Sequence, residues 1–563
     1  MLAGAARGLA ARRRQHAAAL VRERLVPTAL CDALPNGAPG NRAYREGGPL
    51  RAWLAAYGAN IEHVEFREIC RPAGAGDGAA ASPQDVERGV FPRPSLFLAR
   101  RALGLAAGVA AWAGMVLPLG IHGDVEVASF PTKLALTAQA AREDPHIGQV
   151  LTELHETGIV DDETTLVLYL TAHKVAGEAS RLLPYLSSLP DRTPTPLWLP
   201  PDQLDAWLAG TNAHKATKAL QGHLLQLWPK VQPVVRQMAM AVGGAGVPEP
   251  GFGDFVWAHS MFWSRSVELP SGPDGAPQSA LVPGLDMFNH APGAPFRYEP
   301  KAGSVAVVAP WSALRALGRA GGDGELTIDY GRAVKSNEEL LFHYGIVEAA
   351  AGPADVVALL CPLPPRAEWD DRLEAQAACM YVAGGSPRIL LPPLDARQTA
   401  RRDPARKGSV LSRAGRPGAL KELLAAVPHD GMVGLRAFAT PGIEAAAIAE
   451  AGKDPEWGPA DTWDAGTQLS VVTTLARLLE TRIVDLEGPE GTGPLEHDIG
   501  LLEGSAADAH PLEPLEEACA MYRAQQKRLT REWAVLARAA VAELSGTMAA
   551  RAPPSRGGAR TQQ

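Results

Sequence analysis

The sequence predicts an α+β protein in which short strands are combined with many helices. Short apolar runs bounded by turn residues, at 304–310 and 326–328, are typical of strands. Apolar residues at helical spacing occur at 161–173, and again at 471–479 and 522–540. Helices that stand both before and after the strands indicate a mixed architecture whose last part is mostly helical.

Composition places the chain among ordinary globular proteins of two or three domains. It has 563 residues, of which 46% are hydrophobic and 21% charged, and a net charge of -8. No basic block of domain size is present, so direct binding of nucleic acid is not expected. No run of 18 apolar residues occurs, so we expect no membrane-spanning helix. The five cysteines are scattered, which argues against a metal site or a disulfide framework.

Taken in order, the chain begins with a segment that has the composition of a targeting peptide. Residues 1–26 are rich in alanine and arginine, and the first acidic residue is Glu23. Organelle transit peptides are likewise basic and poor in acids. We therefore predict a leader over 1–40, with an ordinary basic surface helix as the alternative.

The middle of the chain alternates between helices and loops. An amphipathic helix is expected over 50–59, a loop over 71–95 and a buried helix over 161–173. A further helix is expected over 255–268, and a short strand over 281–285.

A capping box marks the start of a short helix near residue 336. The Ser336 side chain can accept a hydrogen bond from the helix start, while Glu339 reaches back to the Ser336 amide. Gly345 can end the helix in a left-handed conformation. Tyr330 and Tyr344 therefore lie at opposite ends of one strand-turn-helix unit.

These segments together resemble the C-terminal half of a SET domain. The resemblance is carried by Asn289-His290 after an apolar run, by Asp329-Tyr330-Gly331, and by the stretch from Ser336 to Gly345. The most similar branch is typified by the Rubisco large-subunit lysine methyltransferase (LSMT). That branch joins a split SET domain to a helical substrate-binding domain.

The resemblance implies a domain division for this chain. It predicts a β-rich SET domain over 41–348 with an inserted helical subdomain at about 140–254, then a mostly helical C-terminal domain over 349–546. A disordered tail is predicted over 547–563, because this segment is basic and rich in Pro and Gly.

The resemblance also implies a binding site for S-adenosylmethionine. Arg265 matches the arginine of the family that grips the carboxylate of the methyl donor, a task suited to a planar guanidinium. Asn289 and His290 match the pair that holds its adenine and amino group. A glycine-rich turn that completes the site in the family has a weak counterpart near Gly104.

For the acceptor side, tyrosines are the expected residues. A lysine amine is roughly one part in a thousand neutral at neutral pH, and an apolar channel favours the neutral form that can accept a methyl group. Tyr330 and Tyr344 are the predicted catalytic residues, and Tyr298, in the loop after His290, is predicted to line the channel. Val267 stands where histidine-methylating relatives carry an asparagine, which together with Tyr344 favours lysine as the acceptor.

The resulting prediction is a monomeric protein-lysine methyltransferase that acts on a non-histone protein. The resemblance suggests the Rubisco large subunit or plastid aldolase as the protein substrate, and the leader suggests the chloroplast, with cytoplasm or mitochondrion as alternatives. Two other functions stay open, a non-catalytic protein-binding scaffold and a protein-histidine methyltransferase. A hydrolase is disfavoured because Asp323, Glu325 and Asp329 have no nucleophile beside them.

Overall fold

A computed structural model describes the structure of the protein over most of the chain. It covers residues 48–70, 86–92, 124–271, 276–320, 324–331, 334–360, 369–394, 418–506 and 511–551. The predicted leader over 1–40 and the turn near Gly104 lie outside the described residues.

The first domain contains three small antiparallel sheets around one core. Strand β1 (Val64–Cys70) pairs with β2 (Val86–Pro92), and the second sheet has β8 between β3 and β7. In the third sheet, β6 lies between β4 and β5. The strands of the last two sheets are β3 (Asp124–Pro131), β4 (Leu136–Thr137), β5 (Ser266–Ser271), β6 (Ala276–Leu281), β7 (Arg297–Lys301) and β8 (Ser304–Pro310).

A block of helices stands between β4 and β5, as the predicted insertion requires. Its buried centre is α4, which Asp161 caps by accepting a hydrogen bond from the Thr164 amide at 2.7 Å. The first domain opens with α1 (Gly48–Ala56), and the block comprises α2 (Ala138–Arg142), α3 (Gly148–Glu156), α4 (Asp162–Ala176), α5 (Leu183–Leu186), α6 (Pro201–Leu208), α7 (Asn212–Gly243) and α8 (Phe252–Arg265).

Two distant segments cross at the centre of the first domain. The Ile328 amide donates to the Asn289 carbonyl at 2.9 Å, and the Ala291 amide donates to the Ile328 carbonyl at 3.1 Å. This parallel bridge brings the Asn289-His290 segment beside the segment that ends in Tyr330. After α9 (Trp311–Arg319) and this crossing, the chain enters α10 (Asn337–Tyr344).

The C-terminal domain is mostly helical and has its own core. Trp533, Leu475 and Leu479 are fully buried in it, together with the inward-facing residues of a two-stranded antiparallel sheet. Its elements are β9 (Val357–Leu360), α11 (Asp371–Val382), β10 (Arg388–Leu391), α12 (Ala419–Ala426), α13 (His429–Ala439), α14 (Gly442–Ala451), α15 (Ala465–Glu487), α16 (Leu495–Leu502) and α17 (Pro514–Arg551).

A small buried cluster joins the two domains at α10. Leu341 of α10 packs with Leu208 of the insertion and with Cys519 and Tyr522 of α17. The helix that carries Tyr344 is therefore fixed by both domains.

The α+β fold class is confirmed, and several predicted boundaries are wrong. The helix expected over 255–268 ends at Arg265, and the next residues form β5. The strand expected over 281–285 lies earlier, as β6, and 326–328 contributes only isolated bridges at Ile328, to His290 and to Phe296. Tyr298 lies on β7 and not in a loop. Helix α17 extends to Arg551, into the segment predicted as a tail.

Among the described residues, no helix is long and apolar enough to cross a membrane. Nor does any group of three or more His, Cys, Asp or Glu side chains there have the arrangement of a metal site.

Candidate active site

Arg265 is the last residue of α8, at the point where the chain turns into β5. Ser266 already has extended backbone angles, so the helix stops and the arginine side chain extends from its end. Its Nη1 donates to the Asp286 carbonyl at 2.8 Å and lies 3.8 Å from the Asp286 carboxylate. Arg265 Nε is buried and has no hydrogen-bond partner among the described residues. One donor of the guanidinium is therefore left for another group.

Asp286 is the buried carboxylate behind Arg265. The Tyr185 hydroxyl donates to its Oδ2 at 2.8 Å, and the Gly284 amide donates to its Oδ1 at 2.9 Å. Burial raises the pKa of Asp286, an effect that Arg265 and Tyr185 partly offset. Burial, and next the charge of Asp286, raises the pKa of Tyr185 well above its usual value, so the hydroxyl keeps its proton.

The His290 ring has a defined tautomer. The Tyr330 amide donates to His290 Nδ1 at 3.1 Å, so this nitrogen is an acceptor and the proton is on Nε2. Nε2 then donates to Glu348 Oε1 at 3.0 Å. The neighbouring Asn289 donates through its side-chain amide to Glu325 at 2.7 Å. Both side chains hold the segment crossing together, while their main chain runs beside Tyr330.

Tyr330 and Tyr344 lie together at this crossing. Their ring centroids are 4.8 Å apart, and the Tyr330 ring is 5.1 Å from that of His290. The Tyr330 hydroxyl donates to the Phe288 carbonyl at 3.0 Å. Lys335 Nζ donates to the Tyr344 hydroxyl at 2.6 Å. Two phenols and a cation therefore lie within one half-buried cluster.

Tyr298 and Val267 lie on strands of two different sheets and pack against the same core. Tyr298 pairs with Val307 in the sheet of β7 and β8, and Val267 pairs with Ala280 in the sheet of β5 and β6. Burial raises the pKa of Tyr298, and the nearby negative charge of Glu268 acts in the same direction. Both residues pack against the core that also contacts Tyr330.

The end of α10 fixes where Tyr344 can be. The predicted capping box is present, with the Ser336 hydroxyl accepting from the Glu339 amide at 3.2 Å. Gly345 ends the helix at φ 70°, and a Cβ there would lie 1.6 Å from the Pro194 carbonyl oxygen. Only glycine fits this position, so the helix end and the Tyr344 ring are held against the insertion.

A chain of hydrogen bonds connects this cluster to the C-terminal domain. The buried Asn337 amide donates to the Glu348 carbonyl at 2.9 Å and to Gln525 Oε1 at 3.0 Å. The Glu348 amide donates back to Asn337 Oδ1 at 2.9 Å. The Glu348 carboxylate in turn accepts a hydrogen bond from His290, and His290 accepts one from the Tyr330 amide. Helix α17 is therefore linked to the Tyr330 backbone through the side chains of Asn337, Glu348 and His290.

The structure brings the five predicted donor-site and catalytic residues into one region, and adds four that sequence reasoning missed. Asp286 stands inside the motif that identified Asn289, and Glu348 follows Gly345 closely, so both had a signal in the sequence. Lys335 directly precedes the capping box. Tyr185 had no signal in the sequence, because its partner Asp286 lies 101 positions further along the chain.

The residues present fit S-adenosylmethionine at one end of the site. A carboxylate is the natural partner for the unpaired Arg265 Nε, since guanidinium groups bind carboxylates through several donors. Arg265 is 16% exposed, so a ligand in this region can reach it.

Solved structures share this architecture along most of the chain. The SET domain of LSMT bound to lysine and AdoHcy has a TM-score of 0.56 at 15% identity, and Rubisco LSMT bound to AdoMet has 0.58 at 15%. Rubisco LSMT bound to sinefungin and monomethyllysine has a TM-score of 0.58 at 14% sequence identity. Each match covers 91% of this chain and 94% of the other. This chain has the Rubisco LSMT fold.

At this level of identity the likeness establishes the fold alone. No protein-family model matches the sequence, and no curated protein matches it. The LSMT fold nevertheless confirms the predicted architecture of a SET domain followed by a helical domain.

Proposed function

We propose that this protein is an S-adenosylmethionine-dependent methyltransferase that methylates a lysine of a non-histone protein. The observation that carries the proposal is the pair Tyr330 and Tyr344, with ring centroids 4.8 Å apart, beside the segment that holds Arg265. The Tyr330 hydroxyl donates to the Phe288 carbonyl, and Arg265 donates to the carbonyl two residues earlier. A protein that only binds a partner has no need for this set. The LSMT structures with AdoMet and with lysine support the choice of donor and acceptor.

When bound, S-adenosylmethionine supplies a sulfonium methyl group. Arg265 Nε is the donor expected to hold its carboxylate, with Asp286 and Tyr185 keeping the guanidinium in place. The main chain at Asn289 and His290 is expected to contact the rest of the molecule, since both side chains are engaged within the protein.

The tyrosines prepare the acceptor amine. Tyr330 is held by two hydrogen bonds: its hydroxyl donates to the Phe288 carbonyl, and its main-chain amide donates to His290 Nδ1. The position of the phenol oxygen is therefore set before the substrate binds. The ammonium of Lys335 lies beside Tyr344, and a like charge disfavours the protonated form of an incoming lysine amine. Transfer needs an unprotonated amine in line with the methyl group, and the two rings are placed to orient it.

Lysine is favoured over histidine as the acceptor. Tyr344 stands in the cluster as expected for a lysine channel, and Val267 is apolar where the histidine-specific pattern has an asparagine. The Rubisco large subunit and plastid aldolase remain the proposed protein substrates, with the enzyme acting as a monomer in the chloroplast.

The test compares wild type with Tyr330→Phe and with Tyr381→Phe as the control. Tyr381 is 84% exposed on α11, far along the chain from the cluster. Calorimetric titration with S-adenosylmethionine should give the same affinity for all three proteins. Transfer of labelled methyl into plastid extract should fall roughly 100-fold in Tyr330→Phe alone, the typical cost of a lost preorganised group.

Two results would count against the proposal. Equal transfer by Tyr330→Phe and wild type would remove Tyr330 from the chemistry. Failure of wild type to bind S-adenosylmethionine would leave the protein-binding scaffold as the better account.

A further inference from the structure

A groove of about 750 Å³ lies between the two domains, away from the tyrosine pair. One wall is formed by the first turns of α7 and α10, and the other by the two-stranded β9–β10 sheet, α15 and Gln526 of α17. Ser336 and Glu338 reach it from the start of α10, whereas Tyr344 is at the other end of that helix, roughly 10 Å away at 1.5 Å per residue.

The β9–β10 sheet gives the groove an apolar floor. Side chains alternate along a strand, so Leu359 enters the C-terminal core while Ala358 and Leu360 face outward. Leu390 of β10 lies directly opposite Ala358 in the register and also faces outward. Leu360 is 65% exposed and Leu390 is 42% exposed. Two neighbouring exposed leucines in a concave surface are typical of a binding site.

The groove is positively charged in a negatively charged protein. Its lining contains four cations and two carboxylates, an excess of two positive charges, whereas the whole chain has a net charge of -8. These residues are Lys215, Arg388, Arg477, Arg482, Glu338 and Asp485.

Three of the cations are available to a ligand. Lys215, Arg388 and Arg477 are exposed and form no ion pair within the described part of the chain. One of the two carboxylates, that of Glu338, already accepts a hydrogen bond from Tyr522 at 2.5 Å, and burial raises its pKa. The field in the groove therefore attracts negative charge.

Two buried side chains of the lining also have unused hydrogen-bonding capacity. Arg482 Nη1 donates to the Gly210 carbonyl at 2.6 Å, but its Nε has no partner among the described residues. Gln526 donates to the Val356 carbonyl at 3.3 Å, but its Oε1 has no partner there either. An unpaired donor and an unpaired acceptor in one wall suit a ligand that has a peptide backbone.

We propose that this groove binds an acidic, leucine-bearing segment of the protein that is methylated. The apolar side chains of the segment would cover Leu360 and Leu390, and its carboxylates would pair with Lys215, Arg388 and Arg477. The identity of the partner as the acceptor rests on the proposed function. Docking in this groove would hold the acceptor at both domains, which raises its effective concentration at the tyrosine pair.

Three short fluorescent peptides test the chemistry directly, by anisotropy with wild type. One alternates glutamate and leucine, one lysine and leucine, and one glutamate and serine. The glutamate–leucine peptide should bind most tightly, and its affinity should fall as salt is added. No binding of this peptide, or equal binding of the lysine–leucine peptide, would overturn the proposal.

Variants locate the binding. The double substitution Arg388→Glu with Arg477→Glu should weaken the glutamate–leucine peptide roughly tenfold or more. Leu360→Ser with Leu390→Ser should weaken it as well. The control is Arg315→Glu with Arg319→Glu on the exposed face of α9, which changes the net charge equally. If the control weakens binding as much as the groove variant, the site is not this groove.

The outcome for the groove can be separated from that for the proposed function. With Arg388→Glu and Arg477→Glu, labelling of plastid extract should fall about tenfold while the affinity for S-adenosylmethionine stays at the wild-type value. Absence of S-adenosylmethionine binding by wild type would contradict the proposed function. The peptide experiment would still show whether the groove binds an acidic, leucine-bearing segment.

Discussion

The molecule contains two networks built from the same three residue types, and they differ in how the arginine is used. In the insertion, Arg181 Nη2 donates to the Tyr169 oxygen at 2.7 Å and to Asp144 Oδ2 at 3.0 Å. In the candidate site, Arg265 donates to the main-chain carbonyl of Asp286 and leaves its Nε unpaired.

Their surroundings explain the difference. Burial would raise the pKa of Asp144, but interactions with His173, the His146 amide and Arg181 lower it well below its usual range. Burial raises the pKa of Asp286, and its partners offset this only in part. Arg181 donates to both side chains of its network and is half exposed, so water can serve its other donors and the network stabilises the fold. Arg265 keeps a buried donor unpaired, and a ligand can use it.

The largest effect is expected from removing the carboxylate of the first network. Asp144→Ala leaves the buried Tyr169 hydroxyl without its acceptor and removes the buried carboxylate that lies 3.7 Å from His173 Nε2, so the free energy of unfolding should fall by about 3 kcal/mol. Urea denaturation measures this. In wild type the contribution should be present above the ordinary Asp pKa near 3.9 and be lost as the pH falls below it, because the folded pKa is depressed.

The control for Asp144 is Asp162→Ala, which removes an exposed partner of Arg142. Exposed ion pairs contribute less than about 1 kcal/mol, so its effect should be small. Equal losses in the two variants would mean that the Asp144 network does not stabilise the insertion.

How much of this was predictable depends on how local each feature is. The capping box at Ser336 and the left-handed Gly345 involve residues a few positions apart, and both were predicted. The end of α8 at Arg265 was missed because Val267 and Leu269 are compatible with a helix as well as with a strand. These residues form a strand because they pair with β6.

Contacts between distant residues could not be predicted from patterns in the sequence. Asn337 and Gln525 are 188 positions apart, and each is an ordinary polar residue on a helix. The helical spacing of α17 indicated which residues form its core face. It contained no information on which polar side chain would meet α10, because that depends on how the two domains pack.

The second prediction concerns the unpaired donor. Arg265→Lys removes the planar guanidinium and should weaken S-adenosylmethionine binding roughly 30-fold, about 2 kcal/mol. Arg181→Lys makes the same change in the other network and should leave the affinity unchanged. Calorimetric titration of both variants measures the difference. If both substitutions weaken binding alike, the contrast between the two networks has no bearing on the donor site.

The smallest effect is expected at the link between the domains. Glu348→Gln keeps an acceptor for His290 Nε2 but removes its charge, so the ring is held less firmly and Tyr330 is less well positioned. We expect kcat to fall roughly fivefold, with KM and S-adenosylmethionine affinity unchanged. Nitrogen NMR of the His290 ring should show some loss of the Nε2–H tautomer, which a merely structural role would not cause. Glu339→Gln, in the capping box of the same helix, is the matched control. An unchanged tautomer with a reduced kcat would mean that Glu348 acts on Tyr330 by another route than His290.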